Sequence, residues 1–250
     1  MGGASRNEKK RRQAEANRRL AAAGISVPPK RNRTPLIVVA VVVVVAVVAG
    51  VAVLLNRNGS SADVAPTYTA TASGAVITAG NGPATIDTYE DFLCPQCERF
   101  EQRYGNEITT ALNNGQVTVR FHTIAILDPS TTPPGYSTRA ANAALCAVPA
   151  GIYPAYREKL FAEQPAEGSA GLTNDQLIQF GTELGATGDF AACVNGATNA
   201  AAVTAETEAS AANPALQTNG QFGTPTVAVG GAKIDLNNTN WLKDAIAAGR

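Results

Sequence analysis

The chain of 250 residues carries a formal net charge of zero, but its charges are unevenly distributed. Residues 1–35 carry ten Lys or Arg and two Glu (ten minus two, +8), whereas residues 36–250 carry ten Lys or Arg and eighteen Asp or Glu (ten minus eighteen, −8). A basic segment can bind nucleic acid, but the segment that follows explains the charge as a matter of membrane topology. The composition therefore argues against a nucleic-acid-binding protein.

An uncharged, valine-rich segment of twenty residues runs from Leu36 to Leu55. Twenty residues of helix rise about 30 Å, which matches the hydrocarbon core of a bilayer. The segment predicts a single transmembrane helix over 36–55. A cleaved signal peptide is the alternative, but its apolar core usually has about 7–15 residues and its charged region is shorter than this one.

Basic residues are concentrated on one side of this apolar segment. Three of them lie between positions 30 and 33, and only Arg57 lies close to the other end. By the positive-inside rule, 1–35 is a basic cytoplasmic tail and the chain beyond residue 56 is extracytoplasmic, so the protein is a single-pass membrane protein. Residues 56–75 are rich in small and polar residues without hydrophobic periodicity, which predicts a flexible tether.

The remaining residues, 76–250, are enough for one domain with its own core. Their patterns predict an α/β domain that begins with a strand near Ala75–Thr78 and a second strand at Ala84–Tyr89. A helix from Glu98 to Leu112 and the alternating segment Val117–Ile124 follow. Strand, helix and strand in this order predict a β-α-β unit with parallel strands.

The middle of the domain shows only helical patterns. They predict helices over Thr138–Ala147, Tyr153–Glu163, Thr173–Leu184, Asp189–Asn195 and Asn199–Ala211. Thr226–Val229 and Ala232–Leu236 then predict a hairpin, because the two glycines between them suit a primed turn. A last helix, capped by Asn238 or Thr239, extends through Ala248.

Cys94 and Cys97 lie at the junction between the second strand and the first helix. Pro95 fits the first helical position, where its missing N–H has no cost. Cys94 is then at the helix edge, where unpaired N–H groups and the helix dipole favour a thiolate. Cys97, one turn further on, can close a small disulfide with Cys94. The sequence therefore predicts a thiol–disulfide exchange site.

The region 84–250 resembles the thioredoxin fold and, more narrowly, the DsbA-like thiol oxidoreductases, which carry an inserted helical domain. The resemblance rests on Asp91-Phe92-Leu93-Cys94-Pro95-Gln96-Cys97 and on Gly223-Thr224-Pro225-Thr226. It also rests on the long helical insert at about 136–213. The fold it implies is a thioredoxin-like α/β domain with that insert, preceded here by one transmembrane helix.

The resemblance implies roles for single residues. Cys94 is the exposed nucleophile and Cys97 the resolving thiol. Pro225 is a cis proline against the active disulfide, with Thr224 before it. The redox-active disulfide serves without a further cofactor, and a quinone-linked membrane protein of the DsbB or vitamin-K-epoxide-reductase type reoxidises it.

Two positions depart from the pattern of many relatives. Gln96 stands where they have a histidine that helps to hold the thiolate, and Thr88 stands where they have a carboxylate. Glu90 and Asp91 are the nearby acids. Either is a candidate for carrying a proton to Cys97, although acids at strand ends are more often solvated. Two further acids, in the first turns of the helix, suit its dipole but oppose a thiolate.

The other two cysteines, Cys146 and Cys193, fall in predicted helices of the insert. They are either two buried thiols or one structural disulfide, and an extracytoplasmic location favours the disulfide. A zinc site would need two ligands besides Cys94 and Cys97, and the single histidine, His122, lies within a strand, so we expect no metal. His122 fits a satisfied strand residue better than a catalytic base.

The prediction for function is a membrane-tethered extracytoplasmic thiol–disulfide oxidoreductase. It exchanges its Cys94–Cys97 disulfide with secreted or membrane client proteins and acts as an oxidase. A reductase or isomerase uses the same chemistry and stays an alternative. A non-catalytic thioredoxin-like module that binds clients is the third interpretation, although such a module has no need of both cysteines.

Overall fold

The structure, a computed structural model, describes residues 3–24 and 64–249. It divides into two units, Met1–Ser61 and Ala62–Arg250. In the first unit the helix α1, Gly3–Ala22, is exposed along residues 7–22. No helix within the described residues is long and apolar enough to cross a membrane. The predicted transmembrane segment, 36–55, and the predicted tether up to residue 63 lie outside the described residues.

The second unit is built on one mixed sheet. In its described residues the strands are β1 Ala70–Ser73, β2 Val76–Gly80, β3 Ala84–Glu90, β4 Val117–Thr123, β5 Thr226–Val229 and β6 Ala232–Lys233. They lie in the order β1-β2-β4-β3-β5-β6. The pair β3–β4 is parallel, with Ala84 opposite Val117, and the other neighbours are antiparallel. The predicted β-α-β unit is therefore confirmed.

Helices cover the sheet and form the insert. Those of the second unit are α2 Pro95–Asn113, α3 Tyr136–Ala147, α4 Tyr153–Ala162, α5 Asn174–Glu183, α6 Phe190–Asn195, α7 Ala200–Ala212 and α8 Trp241–Ala248. The run from α3 to α7 lies between β4 and β5 in the chain, where the sequence predicts an inserted helical region.

The helix α2 is held by one apolar face. Its buried residues recur at helical spacing and include Cys97, Phe100, Tyr104, Ile108 and Leu112. Phe100 and Tyr104 also meet Trp241 of α8, with ring centroids 6.3 and 5.6 Å apart. Cys97 is therefore part of the core, whereas Cys94, just before the first turn, lies at the edge of that face.

The structure corrects the C-terminal limit of the predicted tether. Residues 70–73 form the edge strand β1, which turns into β2 through Gly74 at φ 59°. The segment before β1 is bound to α2, because the amides of Val64 and Thr67 donate to the side chains of Asn106 and Asn113 at 3.1 and 2.8 Å. Sequence patterns missed this strand because Ala-Thr-Ala-Ser has no large apolar side chain to alternate.

The C-terminal elements also differ from their predicted limits. The strand β6 ends at Lys233 rather than Leu236. The final helix begins at Trp241, and neither Asn238 nor Thr239 is its cap. Asn238 instead organises the preceding turn, since its side chain accepts the N–H of Asn240 at 3.0 Å and donates to Asp244 at 2.9 Å.

Candidate active site

The local fold places Cys94 at the end of a helix. Cys94 is the N-cap of α2, with extended backbone angles (φ −74°, ψ 116°), and Pro95 follows at the start of the helix. The Cys94 carbonyl accepts the N–H groups of Cys97 at 3.0 Å and Glu98 at 3.2 Å. In the same turn, the amides of Gln96 and Cys97 favour negative charge on the Cys94 sulfur.

The two active-site thiols have opposite electrostatic environments. Both cysteines are free thiols, and the exposed fraction is 6% for Cys94 and 0% for Cys97. The hydrogen bond from the Cys97 thiol lowers the pKa of Cys94 to about 6, with further support from Thr224 and from the amides of Cys97 and Gln96, although burial opposes the shift. Burial raises the pKa of Cys97 well above its ordinary value. At neutral pH the pair therefore consists of a Cys94 thiolate and a Cys97 thiol.

The second motif of the resemblance lies against the first. The Thr224–Pro225 peptide bond is cis. The Thr224 carbonyl oxygen is 3.4 Å from Cys94 Sγ, although 130 positions separate the two residues. The buried hydroxyl of Thr224 has no other hydrogen-bond partner within the described part of the chain, so it is free to turn toward the sulfur.

Asp91 holds the residues before Cys94 in place through hydrogen bonds to its buried carboxylate. It is fully buried, and its carboxylate oxygens accept the amides of Leu93 and Leu127, each at 2.9 Å. Burial raises the pKa of Asp91 to about 7, and these two amides oppose that shift. The carboxyl group joins the loop before Cys94 to the segment after β4, so it is not the solvated acid that strand ends usually carry.

Glu90 is also buried, and it belongs to a line of charges. Its Oε2 accepts a hydrogen bond from Arg157 Nη2 at 2.8 Å. The same guanidinium binds both carboxylate oxygens of Glu101, with Nη2 to Oε1 at 2.7 Å. Burial raises the pKa of Glu90 to about 7, and the charge of Glu90 in turn raises the pKa of Cys97. The Glu90 carboxyl and the Cys97 thiol are thus electrostatically linked.

Two residues at this site gave no signal in the sequence. Arg157 lies within the helical pattern of α4, where a charge is expected to face solvent, yet its side chain is only 8% exposed. Gln164 follows α4 and donates to the carbonyls of Phe92 and Cys94 at 3.0 and 3.2 Å. Both belong to the insert, so its packing against α2 brings them to the cysteines. Gln96 is exposed, and it contributes its amide rather than its side chain.

The remaining cysteines form a separate bridge. Cys146 of α3 and Cys193 of α6 are joined by a disulfide, with Cα atoms 5.9 Å apart. Cys146 is buried, and the side-chain amide of Asn199 lies 3.5 and 3.6 Å from the two sulfurs. This bridge ties two helices of the insert to each other.

Both ring nitrogens of His122 lie within hydrogen-bond distance of a carboxylate. Nδ1 lies 2.7 Å from Glu206 Oε1 and Nε2 lies 3.0 Å from Asp87 Oδ1, and the ring stacks on Tyr89 at 4.1 Å. It is a satisfied strand residue that joins β4 to α7. Across residues 3–24 and 64–249, no group of three or more His, Cys, Asp or Glu is arranged to hold a metal ion.

A family comparison identifies the domain that carries this site. The Thioredoxin family model matches residues 71–248. The chain belongs to the thioredoxin family. The match begins within β1 and ends at the last residue of α8, so it covers the sheet, the insert and both motifs.

Solved thioredoxin-like structures agree with this assignment. The reduced disulfide bond oxidoreductase DsbG from Mycobacterium tuberculosis is 28% identical, with a TM-score of 0.58 over 76% of this chain and 84% of that one. Reduced DsbA from the same organism is 25% identical, with a TM-score of 0.55 over 76% of this chain and 97% of that one. MdbA from Corynebacterium diphtheriae, a thiol-disulfide oxidoreductase, shares the fold at 21% identity, with a TM-score of 0.62 over 74% and 96%. The predicted DsbA-like thioredoxin fold is therefore confirmed.

One curated relative matches this chain over only part of its own length. The serine/threonine-protein kinase PknE from Mycobacterium tuberculosis is 29% identical over 175 residues, which are 68% of this chain. The match spans 31% of the kinase's own length. The likeness therefore concerns one part of that protein.

Proposed function

We propose that this protein is a membrane-tethered extracytoplasmic thiol–disulfide oxidoreductase that oxidises the cysteines of client proteins. The observation that carries the proposal is the contrast between the two thiols, a Cys94 with its pKa lowered to about 6 and a buried Cys97 with its pKa raised. A stabilised Cys94 thiolate favours the reduced enzyme, and a stable reduced form makes the oxidised enzyme a good donor of its disulfide.

The exchange has two steps. A client thiolate attacks Cys94 Sγ of the oxidised enzyme, the bond to Cys97 breaks, and its electron pair stays on Cys97 Sγ. A second client thiolate then attacks the client sulfur of the mixed disulfide and releases Cys94 as a thiolate. The client has lost two electrons and gained a disulfide, and the enzyme has been reduced.

Glu90 is suited to supply the proton that the first step requires. The Cys97 thiolate that leaves is strongly basic, because the pKa of Cys97 is raised by burial. The Glu90 carboxyl, with its pKa raised to about 7, can donate a proton to that sulfur. In the reverse direction, its carboxylate takes the proton when Cys97 attacks a mixed disulfide at Cys94. Glu90 thus serves as the carboxyl that many relatives have at the position of Thr88.

The direction of electron flow is tested by redox equilibration. The soluble domain is incubated in glutathione buffers of graded ratio, and the fraction of reduced Cys94 and Cys97 is counted after acid quenching and alkylation. An oxidase should have a potential above about −200 mV, whereas a value near −270 mV would assign the protein as a reductase. Absence of any equilibration with glutathione or with a reduced client would contradict the proposal as a whole.

The turnover of an oxidase needs a second protein. We infer a membrane partner of the DsbB or vitamin-K-epoxide-reductase type, which takes two electrons from the Cys94 and Cys97 thiols and restores their disulfide. Secreted or membrane proteins with reduced cysteines are the clients, and no organic cofactor or metal takes part. The low pKa of Cys94 supports this direction of transfer, because a stabilised reduced pair is reoxidised only by a stronger oxidant, which a dedicated partner supplies.

The membrane tether is part of the proposal. Residues 1–35, with a charge of +8, stay in the cytoplasm, and residues 36–55 span the bilayer. A tether leads to the thioredoxin-like domain and its helical insert, and it ends before Val64, where contacts with α2 begin. The active site would then act on proteins that emerge at the outer face.

A further inference from the structure

One face of the sheet carries a polar cluster that the proposed exchange does not use. Asp87 of β3 is paired with Arg120 of β4 in the register, and Tyr89 is paired with His122. Side chains alternate between the two faces of a strand, so these four lie on one face. Glu206 of α7 completes the cluster, since its Oε1 lies 2.7 Å from His122 Nδ1. The cluster therefore joins two strands of the sheet to the last helix of the insert.

The geometry of the cluster requires a proton on both ring nitrogens of His122. Nδ1 faces Glu206, and Nε2 faces Asp87 at 3.0 Å. A neutral imidazole has only one N–H to donate, whereas an imidazolium has two. Arg120 binds the two carboxylate oxygens of Asp87 at 2.5 and 2.6 Å. With His122 charged, two cations meet two carboxylates and the charges sum to zero, which a largely buried site favours.

The titratable groups that face His122 keep their charge states near neutrality. Burial opposes the charged form of His122, but the hydrogen bonds to Asp87 and Glu206 raise its pKa above the ordinary value. The pKa of Asp87 is lowered despite its burial, through the hydrogen bonds from His122 and Arg120. The hydrogen bond from His122 also lowers the pKa of Glu206. Burial raises the pKa of Tyr89 to about 12 and Arg120 stays protonated, so His122 changes charge first as the pH rises.

An aromatic stack leads from His122 toward the active site. The imidazole ring stacks on Tyr89 with centroids 4.1 Å apart, and Tyr89 meets Phe222 edge-on at 6.1 Å. A cation over the face of an aromatic ring is attracted by the ring, so the charge of His122 strengthens the first of these contacts. Phe222 lies two residues before Thr224, whose carbonyl oxygen is 3.4 Å from Cys94 Sγ. A short series of contacts thus connects the charged histidine to the nucleophilic sulfur.

The helix α7 holds the same region of the chain from its other end. Ser210, one turn beyond Glu206, donates to the Glu206 carboxylate at 3.2 Å. The turn Pro214–Leu216 follows α7, and Leu216 belongs to one apolar cluster with Tyr89. The contact of α7 with the sheet therefore helps to place the segment between α7 and β5, which carries the second motif.

We propose that His122 is a positioning residue that holds Thr224 in place beside Cys94. It acts through the ring of Tyr89, and the inference rests on the proposed function, to which it adds a control on the nucleophile. Thr224 is one of the groups that stabilise the Cys94 thiolate. Loss of the imidazolium releases Glu206 and weakens the stack, so the thiolate loses the support of the Thr224 hydroxyl.

The ionisation of Cys94 measures this support. In reduced full-length protein the thiolate is followed against pH by its ultraviolet absorbance. His122→Gln should raise the midpoint by about one unit, because an ionised sulfur loses a hydrogen bond. Arg120→Gln is the matched control, since it removes one positive charge from the same strand at a side chain that pairs with Asp87 outside the aromatic stack. It should leave the midpoint unchanged, and a His122→Gln midpoint equal to that of the wild type would overturn the inference.

A double-mutant cycle separates position from charge. Loss of the His122 cation also acts on the Cys94 thiolate through space, and that effect does not need the Thr224 hydroxyl. Thr224→Val removes the hydroxyl and keeps the shape of the side chain. In that background His122→Gln should cause no further shift of the midpoint. A shift as large as in the wild-type background would mean that only charge acts, and the positioning role would be wrong.

A measurement on the unaltered protein keeps the inference testable where His122→Gln fails to fold. The chain has a single histidine, so selective labelling gives one set of ring signals in nuclear magnetic resonance spectra. Linkage between two sites is reciprocal, so the midpoint of the His122 titration should be higher in the reduced protein, where Cys94 is a thiolate, than in the oxidised protein. Equal midpoints in the two redox states would contradict the coupling.

Failure of this inference differs from failure of the proposed function. A wild-type Cys94 with an ordinary midpoint would remove the observation on which the proposed function rests. A wild-type midpoint of about 6 that His122→Gln leaves in place would remove only the positioning role of His122.

Discussion

At the scale of single residues, two chemically identical thiols one helical turn apart have different pKa values, because they occupy different positions at the start of α2. Cys94 precedes the first turn, and the Cys97 thiol and nearby N–H groups stabilise its anion. Cys97 faces the core with no exposed surface, so burial disfavours its anion. The different pKa values of the two thiols therefore follow from the geometry of a helix end and not from residue type, and they support the proposed roles of Cys94 as nucleophile and Cys97 as resolving thiol.

This contrast predicts different outcomes for two conservative substitutions. Cys94→Ser should abolish disulfide exchange, because the ionised sulfur is lost. Cys97→Ser should retain attack at Cys94 but accumulate mixed disulfides with clients, since nothing resolves them. Non-reducing electrophoresis with a reduced client detects both results. An active Cys94→Ser, together with a Cys97→Ser variant that traps nothing, would reverse the assigned roles.

The lowered pKa of Cys94 predicts a pH dependence of both reactivity and stability. Alkylation of the reduced protein by iodoacetamide should be half-maximal at about pH 6. Because the pKa of Cys94 is lower in the folded than in the unfolded chain, the unfolded chain binds more protons between the two values. The contribution of Cys94 to the stability of the reduced protein should therefore rise with pH above about 6 and be lost as pH falls through that value.

Cys94→Ser provides the control for this titration. It removes the group in question, so the slope of unfolding free energy against pH over the same window should be smaller than in the wild type. Urea unfolding at several pH values measures it. Equal slopes in the two proteins would mean that Cys94 has an ordinary pKa.

At the scale of elements, several polar contacts fasten the insert to the thioredoxin part, and three of them involve residues discussed above. Gln164 binds the carbonyl of Cys94, Arg157 binds Glu90, and Glu206 binds His122. The bridge between Cys146 and Cys193 lies within the insert itself. The insert is therefore internally cross-linked, and it supplies contacts to the active site.

Removal of that cross-link should lower stability without removing the chemistry. The bridge joins residues 47 positions apart, and the chain-entropy model gives about 4 kcal/mol as an upper estimate of its contribution. The double substitution Cys146→Ala and Cys193→Ala should reduce the free energy of urea unfolding by up to that amount. Emission of the single tryptophan, Trp241, follows the transition.

The active-site pair serves as the control for the bridge. A variant with Cys94→Ser and Cys97→Ser keeps the bridge. At a pH below about 6, where the Cys94 thiolate no longer contributes, it should unfold near the urea concentration of wild-type protein whose Cys94 and Cys97 are reduced. Mild reductant should free Cys94 and Cys97 first, because the lowered pKa of Cys94 stabilises the reduced pair and makes its disulfide the easier one to reduce. Mass mapping that finds Cys146 and Cys193 both free in protein isolated from the outer face would contradict the bridge.

At the scale of the whole molecule, charge is divided along the chain. Residues 1–35 carry +8 and residues 36–250 carry −8, with an uncharged segment at the boundary. An excess of basic residues on one side of an apolar segment orients a single membrane helix, because basic residues are retained in the cytoplasm. The proposed anchor follows from this distribution.

The proposed membrane topology predicts which residues a protease outside the cell can digest. Digestion of intact cells, after removal of any outer barrier, should degrade residues 57–250 and leave residues 1–35 protected. Tags at the two ends, read by immunoblot, distinguish the fragments, and digestion of lysed cells is the control in which both are lost. A mature protein whose N-terminus lies near residue 60 would favour the cleaved signal peptide.

The sequence by itself determined the features that depend on local pattern. Alternation in Val117–Ile124 and helical spacing in α2 fixed the β-α-β unit, and the helix edge identified Cys94 and Cys97. These features were readable because strand and helix periods are properties of neighbouring residues. The motif around Pro225 was readable only through resemblance, since nothing local joins it to the cysteines.

Only the tertiary structure decided what surrounds the thiols. Glu90 is the last residue of β3 and Asp91 follows it, a position where acids are usually solvated, yet both are buried in the folded chain. Arg157 and Gln164 reach the site from α4 and the loop after it, more than 60 residues beyond Cys94 in both cases. Burial and pairing of these groups depend on contacts between segments distant in sequence. The pKa values that separate the two cysteines therefore had to come from the folded chain.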